Sequence, residues 1–197
     1  MKRLKMRLIF NVLLTLRPAL REANKIFTHL TLEEKLVLYK IASKVSDGFA
    51  VEIGSYLGAS ACFIAEGLSE NAKLICIDTW RNEGMSEGLR DTYQEFLKNT
   101  ERYKGKIIPI RGYSWDVVDD VRKITEQISL LFIDGNHSYE AVKKDWLLYS
   151  PLLKSGGFAI FHDVGWAEGV KKVVEELVKP ISYDHMYLPN MFWCVKL

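Results

Sequence analysis

The feature that most constrains this chain is an alternation of short apolar runs with segments of helical length. Residues 49–53, 74–77, 107–110, 130–133 and 158–161 are nearly unbroken apolar runs, the pattern of strands covered on both faces. Between them, periodic helical segments begin near Gly58, Ser86, Ser114, Ser138 and Trp166. Strand and helix in strict alternation mean βαβ units, a parallel sheet and right-handed crossovers. The tail breaks the pattern. Residues 181–187 and 191–195 flank the turn Leu188-Pro189-Asn190 and read as a closing antiparallel hairpin. The expected fold is a doubly wound, Rossmann-like α/β domain. A length of 197 residues suffices for one core and not for two ordinary domains. Residues 1–46 are therefore expected as a helical cap on a domain of residues 47–197.

The chain opens MKRLKMRLIFNVLLTLRPAL, which superficially resembles a secretory signal. Arg7 and Asn11 interrupt its apolar run, Arg17-Pro18 ends it, and no small-x-small cleavage site follows. It is also too short and too charged to span a bilayer. At helical period, Leu4, Leu8, Val12 and Leu16 form a stripe with Ile9 and Leu13 beside it, and Arg3, Arg7 and Arg17 fall elsewhere. Such a stripe is expected to pack on the body of the protein or on a partner subunit, giving a homo-oligomer. The sharper alternative is a basic helix lying peripherally on an anionic membrane. Pro18 should end or kink this helix. Thr31-Leu32-Glu33-Glu34 then has the form of a capping box for a helix reaching about Val45, before Asp47-Gly48 breaks it.

Composition removes several function classes. With 48% hydrophobic and 26% charged residues, the balance is that of a soluble globular protein. A net charge of +2 gives no case for a nucleic-acid partner. Cys62, Cys76 and Cys194 are scattered and lack metal-ligand spacing, which fits a reducing, cytoplasmic setting.

In doubly wound sheets, ligands sit outside the carboxyl ends of the strands. The first strand runs into Glu52-Ile53-Gly54-Ser55-Tyr56-Leu57-Gly58-Ala59-Ser60. Gly54 and Gly58 permit a tight turn and close ligand approach, and Ser60 can cap the next helix. Tyr56 stands where a dinucleotide fingerprint has its second glycine, so a diphosphate would be obstructed. The second strand ends Asp78-Thr79-Trp80, and an acidic residue about 20 positions after the glycine turn is placed to hold a ribose diol. Ser114-Trp115, after the third strand, either caps a helix or borders an adenine ring. The fourth and fifth strands end Asp134-Gly135-Asn136-His137 and His162-Asp163. On adjacent parallel strands these carboxylates and imidazoles converge, either on a divalent cation or around a general base.

These strings resemble the class I S-adenosylmethionine-dependent methyltransferases, and more narrowly the metal-dependent sugar O-methyltransferases that include macrocin O-methyltransferase and cephalosporin hydroxylase-like proteins. The resemblance implies a seven-stranded sheet with an antiparallel last strand. It implies S-adenosylmethionine bound by Glu52, Gly54, Ser55, Tyr56, Gly58, Ser60, Asp78, Thr79, Trp80, Ser114, Trp115 and Asp134. Asp134 and Asp163 match magnesium ligands, and His137 matches the general base. His162 stands where relatives carry a Glu, and a nitrogen ligand there suits manganese better than magnesium.

The implied reaction is methyl transfer to a hydroxyl of a small acceptor such as a sugar or glycoside. Trp80, Trp115 and Trp166 are placed either to stack on a sugar ring or to pack, and residues 81–88 have the composition of a lid or of a solvated loop. Two other readings compete: an NAD(P)-dependent oxidoreductase, against which Tyr56 speaks, and a cofactor-binding scaffold without turnover.

Overall fold

The computed structural model describes residues 2–83 and 88–197, with side chains from residue 5 onward. The chain opens with α1 (Lys2–Leu16), α2 (Pro18–Ala23) and α3 (Leu32–Ala42). The alternating body follows as β1 (Gly48–Ile53), α4 (Ala59–Gly67), β2 (Ala72–Asp78), α5 (Tyr93–Thr100), β3 (Ile107–Arg111), α6 (Ser114–Ile124) and β4 (Ile128–Ile133). It closes with α7 (Tyr139–Tyr149), β5 (Leu153–His162), α8 (Glu168–Val173), β6 (Ser182–Leu188) and β7 (Met191–Lys196). The helix expected from near Ser86 begins at Tyr93, and residues 84–87 of the expected lid lie outside the described residues.

The seven strands form one sheet in the order β3-β2-β1-β4-β5-β7-β6. β1 to β5 pair in parallel, and β7 pairs antiparallel with both β5 and β6. The strand order reverses between β1 and β4, which sets the ligand crevice outside their carboxyl ends.

The apolar runs are continuous because the sheet is covered twice. Ala50, Leu74, Cys76, Leu130, Phe132 and Ile160 join the core beneath α1 to α5. Their immediate neighbours Val51, Ile75, Leu131 and Phe161 join the opposite core with residues of α6 to α8. Successive strand residues point to opposite faces, so each run must be apolar throughout.

The capping box forms: Thr31 Oγ1 accepts from the Glu34 amide at 3.3 Å, and the Glu34 carboxylate accepts from the Thr31 amide at 2.7 Å. As expected, the first helix ends before Pro18: Leu16 is the last residue of α1 and Arg17 leaves helical geometry at φ −126° and ψ 80°. Pro18 then starts α2, where the missing amide hydrogen would lack a helical partner anyway. One expectation at the N-terminus is corrected. The helix packs on the body, but through the flank of the expected stripe: Phe10 and Leu13 are buried, Phe10 stacking on Phe63 at 5.9 Å, while Leu8, Val12 and Leu16 stay 64%, 49% and 72% exposed. The aromatic ring fixes which face turns inward. No helix among the described residues is long and apolar enough to cross a membrane. Cys62, Cys76 and Cys194 are free and buried.

Candidate active site

The glycine turn is cinched between the strands beside it. The Gly54 amide donates to the Ile77 carbonyl at 2.9 Å, and the Asp134 amide donates to the Ile53 carbonyl at 2.8 Å. Gly54 has φ +90°, and a Cβ there would lie 2.1 Å from the Asp134 carbonyl oxygen, so only glycine fits. Asp78 then ties the turn to the end of β2. Its two carboxylate oxygens accept from the Tyr56 amide at 2.8 Å and the Trp80 amide at 2.7 Å. Burial pushes the Asp78 carboxyl up, and these amides oppose that shift.

A cavity of about 200 Å³ opens here, lined by Gly54, Tyr56, Asp78, Thr79, Ser114, Trp115 and Asp134 among others. Its wall also holds residues not singled out in the sequence, among them Asn82 and Thr92. Asn82 Oδ1 and Thr92 Oγ1 are buried with no hydrogen-bond partner among the described residues, which suits a wall that meets a polar ligand. Nothing local in the sequence distinguishes these two from ordinary loop residues.

Several expected cofactor residues sit elsewhere. Glu52 shares a sheet face with Ala50, beneath α4, and is wholly buried; it lines neither cavity of the site. Its Oε2 accepts from Cys76 Sγ at 3.4 Å, and burial pushes its pKa up to about 7 despite Ser55, Ser60 and Cys76 nearby. Trp80 is also wholly buried, against Tyr93 and Phe96 at 4.8 and 4.7 Å, and supports the turn by donating from Nε1 to the Tyr56 carbonyl. Gly58, at φ +88°, is the N-cap of α4, and a Cβ there would meet Thr100 Cγ2 at 2.6 Å. It serves packing against α5, and the cap expected of Ser60 is absent. Ser114 does not cap α6 either; its hydroxyl donates to the buried Asp145 carboxylate.

A larger cavity, of about 680 Å³, lies beyond β4 and β5. Its walls include Ser55, Ser60, His137, His162, Asp163, Trp166 and Asn190, together with Phe27 to Leu30 from the segment between α2 and α3. Gly54, Tyr56, Asp134, Gly135 and Asn136 line both cavities, so the two meet at the reversal point of the sheet.

The larger cavity has a histidine–carboxylate floor. His137 Nε2 is 2.8 Å from Asp163 Oδ2. His162 Nδ1 lies 3.1 Å from Asp134 Oδ1 and 3.2 Å from Asp163 Oδ1, and its Nε2 is 3.5 Å from Glu34 Oε2. Asp163 Oδ1 also accepts from Trp166 Nε1 at 2.6 Å and Asn190 Nδ2 at 2.8 Å. These donors hold Asp163 at φ +63°, a conformation unusual for a non-glycine residue.

The charges follow from these contacts. Burial works against charge on His162, yet the carboxylates around it raise its pKa above the ordinary histidine value. Burial likewise opposes ionised Asp163, but the two imidazoles lower its pKa below the carboxylate range. His137 is raised chiefly by its bond to Asp163. Glu34 is the unforeseen member. Its capping-box position is legible in the sequence, whereas its reach to His162 depends on α3 packing over β5.

The expected metal ligands do come together. Ligand atoms of Asp134, His162 and Asp163 lie within 4.8 Å of one another. The same atoms also face N–H groups: Asp163 lies against His137, Trp166 and Asn190 as well as His162, and His162 Nδ1 sits between two carboxylates, so the cluster can hold either a cation or a shared proton.

Residues 51–164 match the family described as "Methyltransferase domain". An uncharacterized protein, R132, of Acanthamoeba polyphaga mimivirus is 30% identical over 150 residues, covering 72% of this chain and 64% of that protein. This chain thus spans less than two thirds of that relative's length. Among solved structures, the O-methyltransferase NovP superposes with a TM-score of 0.74 at 15% identity, over 86% of this chain and 81% of NovP. CalS11, a TDP-rhamnose 3'-O-methyltransferase, gives 0.62 at 18% identity, over 82% and 76%. At such identities the likeness is one of fold. The matched stretch runs from within β1 to just past β5, which takes in the glycine turn, Asp78, Asp134, His137, His162 and Asp163 but not Glu34, and the chain belongs to the methyltransferase-domain family.

Proposed function

We propose that this chain moves a methyl group from S-adenosylmethionine to a hydroxyl of a sugar or similar small polyol. The observation that carries the reading is the meeting of two cavities over Gly54 and Asp134, with the His137–Asp163 pair on one side only. The smaller cavity takes the cofactor and the larger takes the acceptor. S-adenosylmethionine, when bound, supplies a sulfonium methyl with a built-in leaving group.

Asp78 still has lone pairs free after accepting two backbone amides, and these accept the ribose hydroxyls. Asn82 and Thr92 offer their unpartnered oxygens to the same ligand. On the acceptor side, Asp163 accepts a hydrogen bond from His137 Nε2–H, which leaves Nδ1 as the basic nitrogen. His137 then removes the proton of the attacking hydroxyl, and the shared wall aligns that oxygen with the methyl carbon. His162, held by Asp134, Asp163 and Glu34, fixes Asp163 in turn. No step requires a divalent cation.

A sugar is favoured by the exposed rings of Phe27 and Trp166 beside the amides of Asn136 and Asn190, and by the acceptor named for CalS11. The test is a methyl-transfer assay over nucleotide sugars and glycosides, with and without a chelator. Turnover on a sugar hydroxyl that survives chelation is expected. Transfer only to non-sugar acceptors, or loss of turnover that added magnesium or manganese restores, would overturn the respective half of the proposal.

A further inference from the structure

The α1 helix turns its outward face to solvent, with none of the described residues packed upon it. Leu8, Val12 and Leu16 fall on one line of the helix and are 64%, 49% and 72% exposed. Lys5 belongs to the same line, one turn before Leu8 and two before Val12, and Arg7 is exposed beside it. The sequence before Glu22 contains Lys2, Arg3, Lys5, Arg7, Arg17 and Arg21 and no acidic residue. The helix is nevertheless firmly seated, because Phe10 and Leu13 anchor its other side in the core.

We propose that this face of α1 docks the protein on an anionic membrane surface. Three apolar side chains can enter the boundary between headgroups and acyl chains, and the long stem of Lys5 lets its ammonium reach back to the phosphates. Charge chooses the occupant. A second copy related by a twofold axis would set this acid-free segment against itself, whereas anionic lipid neutralises it. An apolar line with Lys5 and Arg7 at one end, uncharged Asn11 and Thr15 beside it and no acidic residue matches a lipid surface in both respects. Arg17 also lies 3.8 Å from Glu66, so part of its charge is spent within the fold; Lys5 and Arg7 are the better reporters.

The inference does not depend on the methyl-transfer reading, since flotation reads no chemistry. The full chain is mixed with vesicles of phosphatidylcholine alone or with added phosphatidylserine and floated on a density gradient. Wild type should float with the anionic vesicles and stay behind with neutral ones. The triple variant Leu8→Asp/Val12→Asp/Leu16→Asp and the charge variant Lys5→Glu/Arg7→Glu should each lose at least about tenfold of that binding. Circular dichroism identifies any variant that fails to fold, and the two variants damage different chemistry. Absence of wild-type flotation, or flotation independent of lipid charge, overturns the proposal. So does light scattering that finds a lipid-free dimer reduced to monomers by the triple variant, since that gives the face to a second copy.

Discussion

The two halves of the site are built by different means. On the β1–β2 side, the ligand-facing shape is made by backbone. Gly54 is fixed by a main-chain bond to β2, and Asp78 holds the amides of Tyr56 and Trp80. On the β4–β5 side, side chains from remote segments meet: Glu34 from α3, His137 after β4, His162 and Asp163 at the end of β5, and Asn190 from the hairpin turn. A backbone-built half presents a fixed shape suited to one cofactor. A half built from side chains is the one to which the proposed function gives the proton chemistry, and its shape is open to variation in acceptor.

The comparison breaks most visibly at His137. His137→Ala should lower turnover about 10²- to 10⁴-fold while leaving S-adenosylhomocysteine affinity within about twofold, measured by steady-state kinetics beside equilibrium binding. Asp78→Ala should act on the other half. It removes the acceptor of two amides as well as the ribose contact, so cofactor affinity should fall by about 10- to 100-fold, read as a rise in Kd. Glu34→Gln sharpens the assignment of the remote support. The amide can still accept from Thr31, but the charge beside His162 is gone. Turnover should fall about tenfold with cofactor binding nearly unchanged, and the melting temperature should drop because His162 loses a buried charge partner.

The smallest effect belongs to Glu52, which lies under the turn and outside both cavities. Its carboxyl has a pKa of about 7 in the folded protein against 4.5 as its ordinary value. Between these values the unfolded chain loses its proton while the folded chain keeps it, so stability present below pH 4.5 is lost as pH rises through 7. Glu52→Gln should remove that slope, on the order of 3 kcal/mol, from denaturant midpoints compared at pH 5 and pH 8. Cofactor affinity at a fixed pH should change little.

The contrast also explains what could be read from the chain alone. The alternation of apolar runs, the closing hairpin and the glycine turn were legible because each depends on neighbours in sequence. Asp134, His137, His162 and Asp163 were legible as strand-end residues, since adjacent parallel strands bring such positions together. The Glu34–His162 contact was not, because it requires α3 to lie across β5. Glu52 was misplaced for a related reason: alternation on β1 sends its side chain beneath α4, while its position next to Gly54 suggests the crevice. Trp80 was misplaced because its ring packs against Tyr93 and Phe96, on a helix whose start the sequence put near Ser86 rather than at Tyr93. The α1 stripe was legible as amphipathic, but Phe10 decided which side faced inward.

The most direct test of the account is isothermal titration of wild type, His137→Ala and Asp78→Ala with S-adenosylhomocysteine, with NADH as control. The account predicts saturable binding to wild type and His137→Ala with similar affinity, much weaker binding to Asp78→Ala, and none of NADH. Equal weakening in both variants, or undiminished binding to Asp78→Ala, would contradict the division of the site into a cofactor half and a proton-transfer half.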